Sequence, residues 1–113
     1  MDCIFCKIAE GALPAKIIHQ DPELVAFRDI NAAAPTHILI IPRAHLETVN
    51  DLGDEHAGMI GRMHLLAKRL AGREKLAERG YRLVLNCGPD AGQAVFHIHL
   101  HLIGGRKMSW PPG

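Results

Sequence analysis

The run Phe96-His97-Ile98-His99-Leu100-His101-Leu102 alternates apolar and histidine side chains without a break, and no other feature constrains the fold as tightly. Successive side chains of an extended strand point to opposite faces, so Phe96, Ile98, Leu100 and Leu102 share one face and His97, His99 and His101 the other. An apolar strand face needs a sheet and a layer packed over it. Histidines on the same side stand about 6.6 Å apart along such a strand, so two of them can grip one anionic group. An imidazole titrating near pH 6.5 donates, accepts, attacks phosphorus or ligates a metal. Three readings of the row stay open: a solvated polar face, a nucleophile with its helpers, or histidines sharing a metal ion.

The remaining elements supply the sheet. The spacing of Ile4, Phe5 and Ile8 predicts a short helix over Cys3 to Ala9, ended by Gly11 and Pro14. Residues 15–19 and 23–29 form a hairpin around the turn pair Asp21-Pro22, with Leu24 and Ala26 facing opposite to Val25 and Phe27. Residues 31–35 loop to a third strand over 36–41, which Pro42 terminates. Between Asp51 and Ala71, Met59, Ile60, Met63, Leu66, Ala67 and Leu70 fall at helical spacing, giving one long amphipathic helix capped by Asp51 or Asp54. Strands over 81–86 and 95–103 follow, joined by the turn-rich loop 87–93. Five strands with one long and one short helix, and no regular strand–helix–strand repeat, predict an α+β fold with a mainly antiparallel sheet in a single domain, 1–113.

Composition limits the partners. Thirteen Lys and Arg against twelve Asp and Glu leave a formal charge of +1 with no basic run, which argues against a nucleic-acid polymer and favours a small ligand. Eight histidines against five aromatic residues are the compositional anomaly. Three cysteines, two of them in Cys3-Ile-Phe-Cys6, do not make a disulfide framework. The start of the chain has neither a basic region nor a long apolar run, and no stretch reaches the roughly 18 apolar residues of a membrane span. A reducing cytoplasm is the expected location.

The loop before the histidine row bears on the choice. Gly88 and Gly92 give flexible backbone and Asn86 and Gln93 give amides, so the loop is expected to offer backbone N–H groups as a nest for an anion. A hairpin connection is its plainer reading. Beside the histidines it points to phosphate.

The segment Gly92-Gln-Ala-Val-Phe-His-Ile-His-Leu-His-Leu-Ile103 resembles the signature of the histidine triad (HIT) family. Asp2-Cys-Ile-Phe-Cys-Lys-Ile8, Leu13-Pro-Ala-Lys-Ile17, Ala26-Phe-Arg-Asp-Ile30, Ala34-Pro-Thr-His-Ile38, Ile40-Ile-Pro-Arg-Ala-His45 and Gly104-Gly-Arg-Lys-Met-Ser-Trp-Pro-Pro-Gly113 resemble its Hint branch, the histidine triad nucleotide-binding proteins. The resemblance covers nearly the whole chain and implies a HIT-like fold and a homodimer. It also implies hydrolysis of purine nucleoside 5′-phosphoramidates, with AMP, GMP or adenosine as ligands and no cofactor required for catalysis.

Carried onto this chain, the resemblance makes His99 the nucleophile, His101 the donor to the phosphate oxygens, and His97 the residue whose carbonyl orients His99. Asp29 would take the ribose hydroxyls with Ile30 beside it. Ile4, Phe5, Ile8, Leu13, Phe27 and Leu39 would hold the base, and Asn86, Gly92, Gln93 and Ala94 the phosphate. His37 would stand behind them, and Trp110 would reach the other subunit's site. Two departures matter. Many Hint proteins carry a polar residue where this chain has Ala94, which bears on the leaving group and the rate. Cys3 and Cys6, present in only some members, could join His45 and His97 in a structural Cys₂His₂ zinc site, as in zinc-bearing relatives. Two competing functions remain at this point: dinucleoside polyphosphate hydrolysis, and a nucleotide-binding scaffold with little turnover.

Overall fold

The computed structural model describes residues 2–113. Its elements are α1 (Ile4–Ala9), β1 (Ile17–Gln20), β2 (Leu24–Arg28), β3 (Thr36–Pro42), α2 (Ala57–Arg73), β4 (Tyr81–Val84) and β5 (Leu100–Gly104). The strands form one antiparallel sheet in the order β1-β2-β3-β5-β4. The α+β class, the five strands and the two helices stand as the sequence predicts. Among the described residues no helix is long and apolar enough to cross a membrane.

Both faces of the sheet are covered, by layers of unequal size. The stripe Met59, Met63, Leu66, Ala67 and Leu70 of α2 packs on Leu24, Ala26, Ile38, Ile40, Leu100 and Leu102. On the opposite face Phe5 of α1 packs on Val25, Phe27, Leu39 and Ile41. The alternation of β2 and β3 therefore divides their side chains between two cores, which is why β3 is buried along its whole length. Arg28 clamps Glu74 at the end of α2 through two bonds of 2.8 and 3.0 Å, and Thr36 adds a third contact to the same carboxylate.

Several boundaries differ from the sequence reading. Pro42 closes β3 from within the strand, paired with Leu24. Helix α2 begins at Ala57, after two short 3₁₀ turns, and His56 precedes it with no side-chain cap. Asp51 is drawn instead into a box with Thr48, and Asp54 opens the second 3₁₀ turn. The largest difference lies in the histidine segment. Its ladder starts only at Leu100, opposite Ile40, while the Ile98 N–H donates to Leu46 O outside the sheet. Ile98, Leu100 and Leu102 keep the expected core face, but Phe96 is exposed.

Candidate active site and metal cluster

A cavity of about 600 Å³ opens between α1 and the face of the sheet that α1 covers. Its apolar wall holds Ile4, Phe5, Ile8, Leu13, Phe27 and Leu39, and its polar rim holds Asp29, Asn86, His99 and His101. Ile30, Gly92 and Ala94 also line it, as does Val95, which sequence reasoning did not single out. Ile30 is otherwise almost fully exposed.

The histidine tautomers follow from a chain of hydrogen bonds. The Ala33 N–H donates to His37 Nδ1 at 3.0 Å, so that nitrogen bears the lone pair and Nε2 bears the proton. That proton is shared with His101 Nδ1 at 2.9 Å, and Asp29 Oδ2 lies 3.4 Å from the same His37 nitrogen. The chain leaves the proton of His101 on Nε2, the one buried side-chain polar atom among the described residues without a partner. An orphaned donor at a cavity wall is a site for an acceptor. Burial, together with the neighbouring His99 and His37, pushes His101 down to about 4, and burial lowers His37 too. Both rings are neutral at pH 7, so His101 acts there as a hydrogen-bond donor and not as a cation.

His99 is oriented from behind. Its Nδ1 donates to His97 O at 2.7 Å, which leaves the Nε2 lone pair unclaimed in a residue that lines the cavity. Phe5 meets the ring edge-on with centroids 5.1 Å apart.

His97 itself turns away from the cavity. Its Nε2–H donates to Pro42 O at 2.7 Å, so Nδ1 carries a lone pair. That atom lies 3.4 Å from Cys3 Sγ, 3.5 Å from Cys6 Sγ and 3.2 Å from His45 Nδ1. Cys6 Sγ in turn lies 3.4 Å from His45 Nδ1. A tetrahedral ion with N ligands at about 2.0 Å and S ligands at about 2.3 Å has ligand edges of roughly 3.3 to 3.8 Å, so this donor set fits a metal. A ring nitrogen bonded to a backbone carbonyl is the usual support for a ligating histidine. Burial and the adjacent Cys3 push the Cys6 thiol up to about 11. A divalent cation reverses that preference by binding the thiolate. Asp29, His37 and His101 form a second group of potential ligands, but both His37 nitrogens and His101 Nδ1 are already committed to the hydrogen-bonded chain.

Some expected site residues have other work. Gln93 does not line the cavity: its Oε1 accepts from the Gly88 N–H, and its Nε2 donates to Glu47 O and Val95 O. The loop forms no open nest at its glycines, because the Gly92 N–H donates to Pro89 O and the Gln93 N–H to Gly88 O. Gly88 and Gly92 supply the positive φ, +88° and +85°, that this closed turn requires. Trp110 is strongly exposed and lies outside the cavity of its own chain. Two supports escaped the sequence reading, the Ala33 N–H and the Pro42 carbonyl. Both are main-chain groups that carry no side-chain signal.

The family model described as HIT domain matches residues 10–108. The chain is 49% identical over 107 residues to the purine nucleoside phosphoramidase of Escherichia coli (strain K12), covering 95% of this chain and 90% of that one. A crystal structure of a HIT family hydrolase from Legionella pneumophila Philadelphia 1 matches with a TM-score of 0.98 and 52% identity, over 99% of this chain and all of that one. A Zn-bound histidine triad family protein from Mycobacterium smegmatis matches with a TM-score of 0.81 and 32% identity, over 94% of this chain and 76% of that one.

Proposed function

The chain belongs to the HIT-domain family, and from that membership we propose that it hydrolyses purine nucleoside 5′-phosphoramidates with His99 as nucleophile. One observation carries the reading: His99 Nδ1–H is tied to His97 O, so its other nitrogen is free to attack, and the orphaned His101 Nε2–H stands beside it. The Nε2 lone pair attacks phosphorus, the P–N bond breaks with its electron pair going to nitrogen, and the amine departs with a proton taken from solvent. A nucleotidyl-His99 intermediate remains. Water then cleaves the P–Nε2 bond and releases the nucleoside monophosphate. His101 donates to the phosphate oxygens, where negative charge builds during each transfer.

The nucleoside occupies the rest of the cavity. Asp29 takes the ribose hydroxyls: Oδ1 already accepts the Asn31 N–H at 2.8 Å, and each carboxylate oxygen keeps accepting capacity. Phe5, Ile8, Phe27 and Leu39 form the slot for the purine, with Ile30 at its mouth. Asn86, Gly92 and Ala94 lie on the phosphate side. Ala94 offers no hydroxyl to the departing amine, so the chain favours amines that leave without help from that position.

Zinc is the ion we assign to Cys3, Cys6, His45 and His97, as a structural tie with all four ligands from the protein and no position left for water. No cofactor is needed for the transfer itself. We further propose a homodimer in the cytoplasm. The β4 edge of the sheet is unpaired, and a groove of about 620 Å³ at that end includes Val84, Ile103, Met108 and Pro111. The exposed Trp110 would then extend toward the partner's cavity.

The test compares kcat/KM for an adenosine 5′-phosphoramidate of a primary amine with that for a dinucleoside polyphosphate, in wild type and His99→Ala. Phosphoramidate preference, lost in the variant, is the expected result. Preference for the polyphosphate would assign the other hydrolase activity, and equal residual rates in both proteins would leave a nucleotide-binding scaffold.

A further inference from the structure

Building on the reading of His99 as nucleophile, we infer that the Cys3, Cys6, His45 and His97 cluster is a positioning device for that nucleophile: an ion held there locks His97, and His97 holds His99 in the attacking tautomer. Three attachments meet in one residue. His97 is fully buried, its Nδ1 faces the two sulfurs and His45, its Nε2 donates to Pro42 O, and its carbonyl accepts the His99 Nδ1 proton. A ring anchored at both nitrogens limits how far the His97 backbone can shift, and a shift of that backbone moves the carbonyl that fixes the His99 proton.

The sheet does not supply this restraint. The β5 ladder begins at Leu100, and ahead of it the Ile98 N–H donates outside the sheet, to Leu46 O. His99 is thus held on one side by the sheet and on the other by the cluster. Without an ion, a proton can bridge only two of the four donors, such as the 3.2 Å pair of His45 and His97. An ion ties all four at once.

Helix α1 gives a second path between the same two places. Cys3 is its N-cap and Cys6 lies in its first turn, so an ion fastens that turn to β3's end and to His97. Phe5 sits between the two cysteines and meets both rings, at 6.0 Å for His97 and 5.1 Å for His99. A separate groove of about 460 Å³, lined by Cys3, His45, Glu47 and Phe96 among others, lets an ion or chelator reach the ligands without crossing the nucleotide cavity.

The device acts on chemistry through His99 and on the slot through α1: Asp29 and Leu39 are placed by the sheet, while Phe5 and Ile8 ride on the helix that the cluster fastens. The experiment strips wild-type protein with a chelator, restores it with zinc alone, and adds Cys6→Ser as an independent loss of a ligand. The His99 ring is read by nitrogen NMR, with His99→Ala for assignment, beside kcat, KM and AMP affinity.

We expect one His99 tautomer, protonated at Nδ1, with zinc and a mixture without it. Misplacing a reacting group by about 1 Å costs roughly 100-fold, so kcat should fall by about that factor. AMP affinity should weaken as well, because Phe5 and Ile8 move with α1, so the His99 tautomer read without substrate is the discriminating signal. Zinc should restore the stripped wild type. An unchanged His99 tautomer and kcat would overturn the inference, as would failure to take up zinc. Loss of the sheet's amide signals on stripping would also overturn it, in favour of a folding role alone. The NMR signal is read without substrate, so absence of turnover in the zinc-loaded protein would count against the phosphoramidase reading separately.

Discussion

His101 lies four residues from His97 and has a different task, set by a backbone amide it never touches. The Ala33 N–H fixes the tautomer of His37, which fixes that of His101, and the proton ends on the nitrogen without a partner. This placement has a consequence for stability. His101 is held down to about 4 by burial and by its histidine neighbours, against about 6.5 in an unfolded chain. Above pH 6.5 neither state is protonated and the full native stability is present. As pH falls from 6.5 to 4, the unfolded chain takes up a proton that the native ring refuses, so stability is lost across that window. Allowing for partial exposure, the loss from this ring is about 2 kcal/mol. Urea unfolding between pH 7 and 4 should show a shallower decline in His101→Gln than in wild type, and an identical decline would contradict the assignment. The sequence made His99 and His101 legible because the alternation survives from Ile98 onward, whereas the His97 ring turns from the cavity toward Cys3 and Pro42 O. It misassigned Gln93, since an amide beside the histidine row looks the same whether it faces the cavity or braces a loop.

At the scale of elements, the amphipathic stripe of α2 was legible because Met59, Met63, Leu66 and Leu70 all face one core. Its start was not, because Asp51 found a closer partner in Thr48 and the chain made two 3₁₀ turns first. The late start of β5 was equally hidden. Alternation predicts which way side chains point, not whether a neighbouring strand is there to accept the backbone. At its other end α2 stops in a left-handed turn, with Lys75 at φ 61°, the Lys75 N–H on Gly72 O and the Leu76 N–H on Ala71 O. Glycine adopts that conformation without the Cβ clash that lysine bears. Lys75→Gly should therefore raise stability by about 0.5 to 1 kcal/mol with kcat unchanged, measured by urea denaturation. A destabilised variant would show that the lysine side chain contributes a contact that outweighs the strain.

For the molecule as a whole, the two faces of one sheet have separate roles. The α2 face is closed core, while the α1 face carries the cavity we assign to the nucleotide and, beside it, the Cys/His cluster that could hold a metal. The apolar residues of that cavity were legible only through the family resemblance, because Phe5, Phe27 and Leu39 would otherwise pass as ordinary core. The exposed Trp110 and the free edge of β4 suit a second copy of the chain. Trp110→Ala should leave a dimer intact by sedimentation while raising KM several-fold, and a monomeric wild type would remove the tail from the account. The central claim is covalent: His99 carries the nucleotide between the two halves of the reaction. Intact-protein mass spectrometry of a rapidly quenched reaction with an adenosine phosphoramidate tests it directly. An adenylyl group on His99, absent from His99→Ala, is the predicted result; turnover by the wild type with no adduct, or turnover retained in the variant, would contradict it.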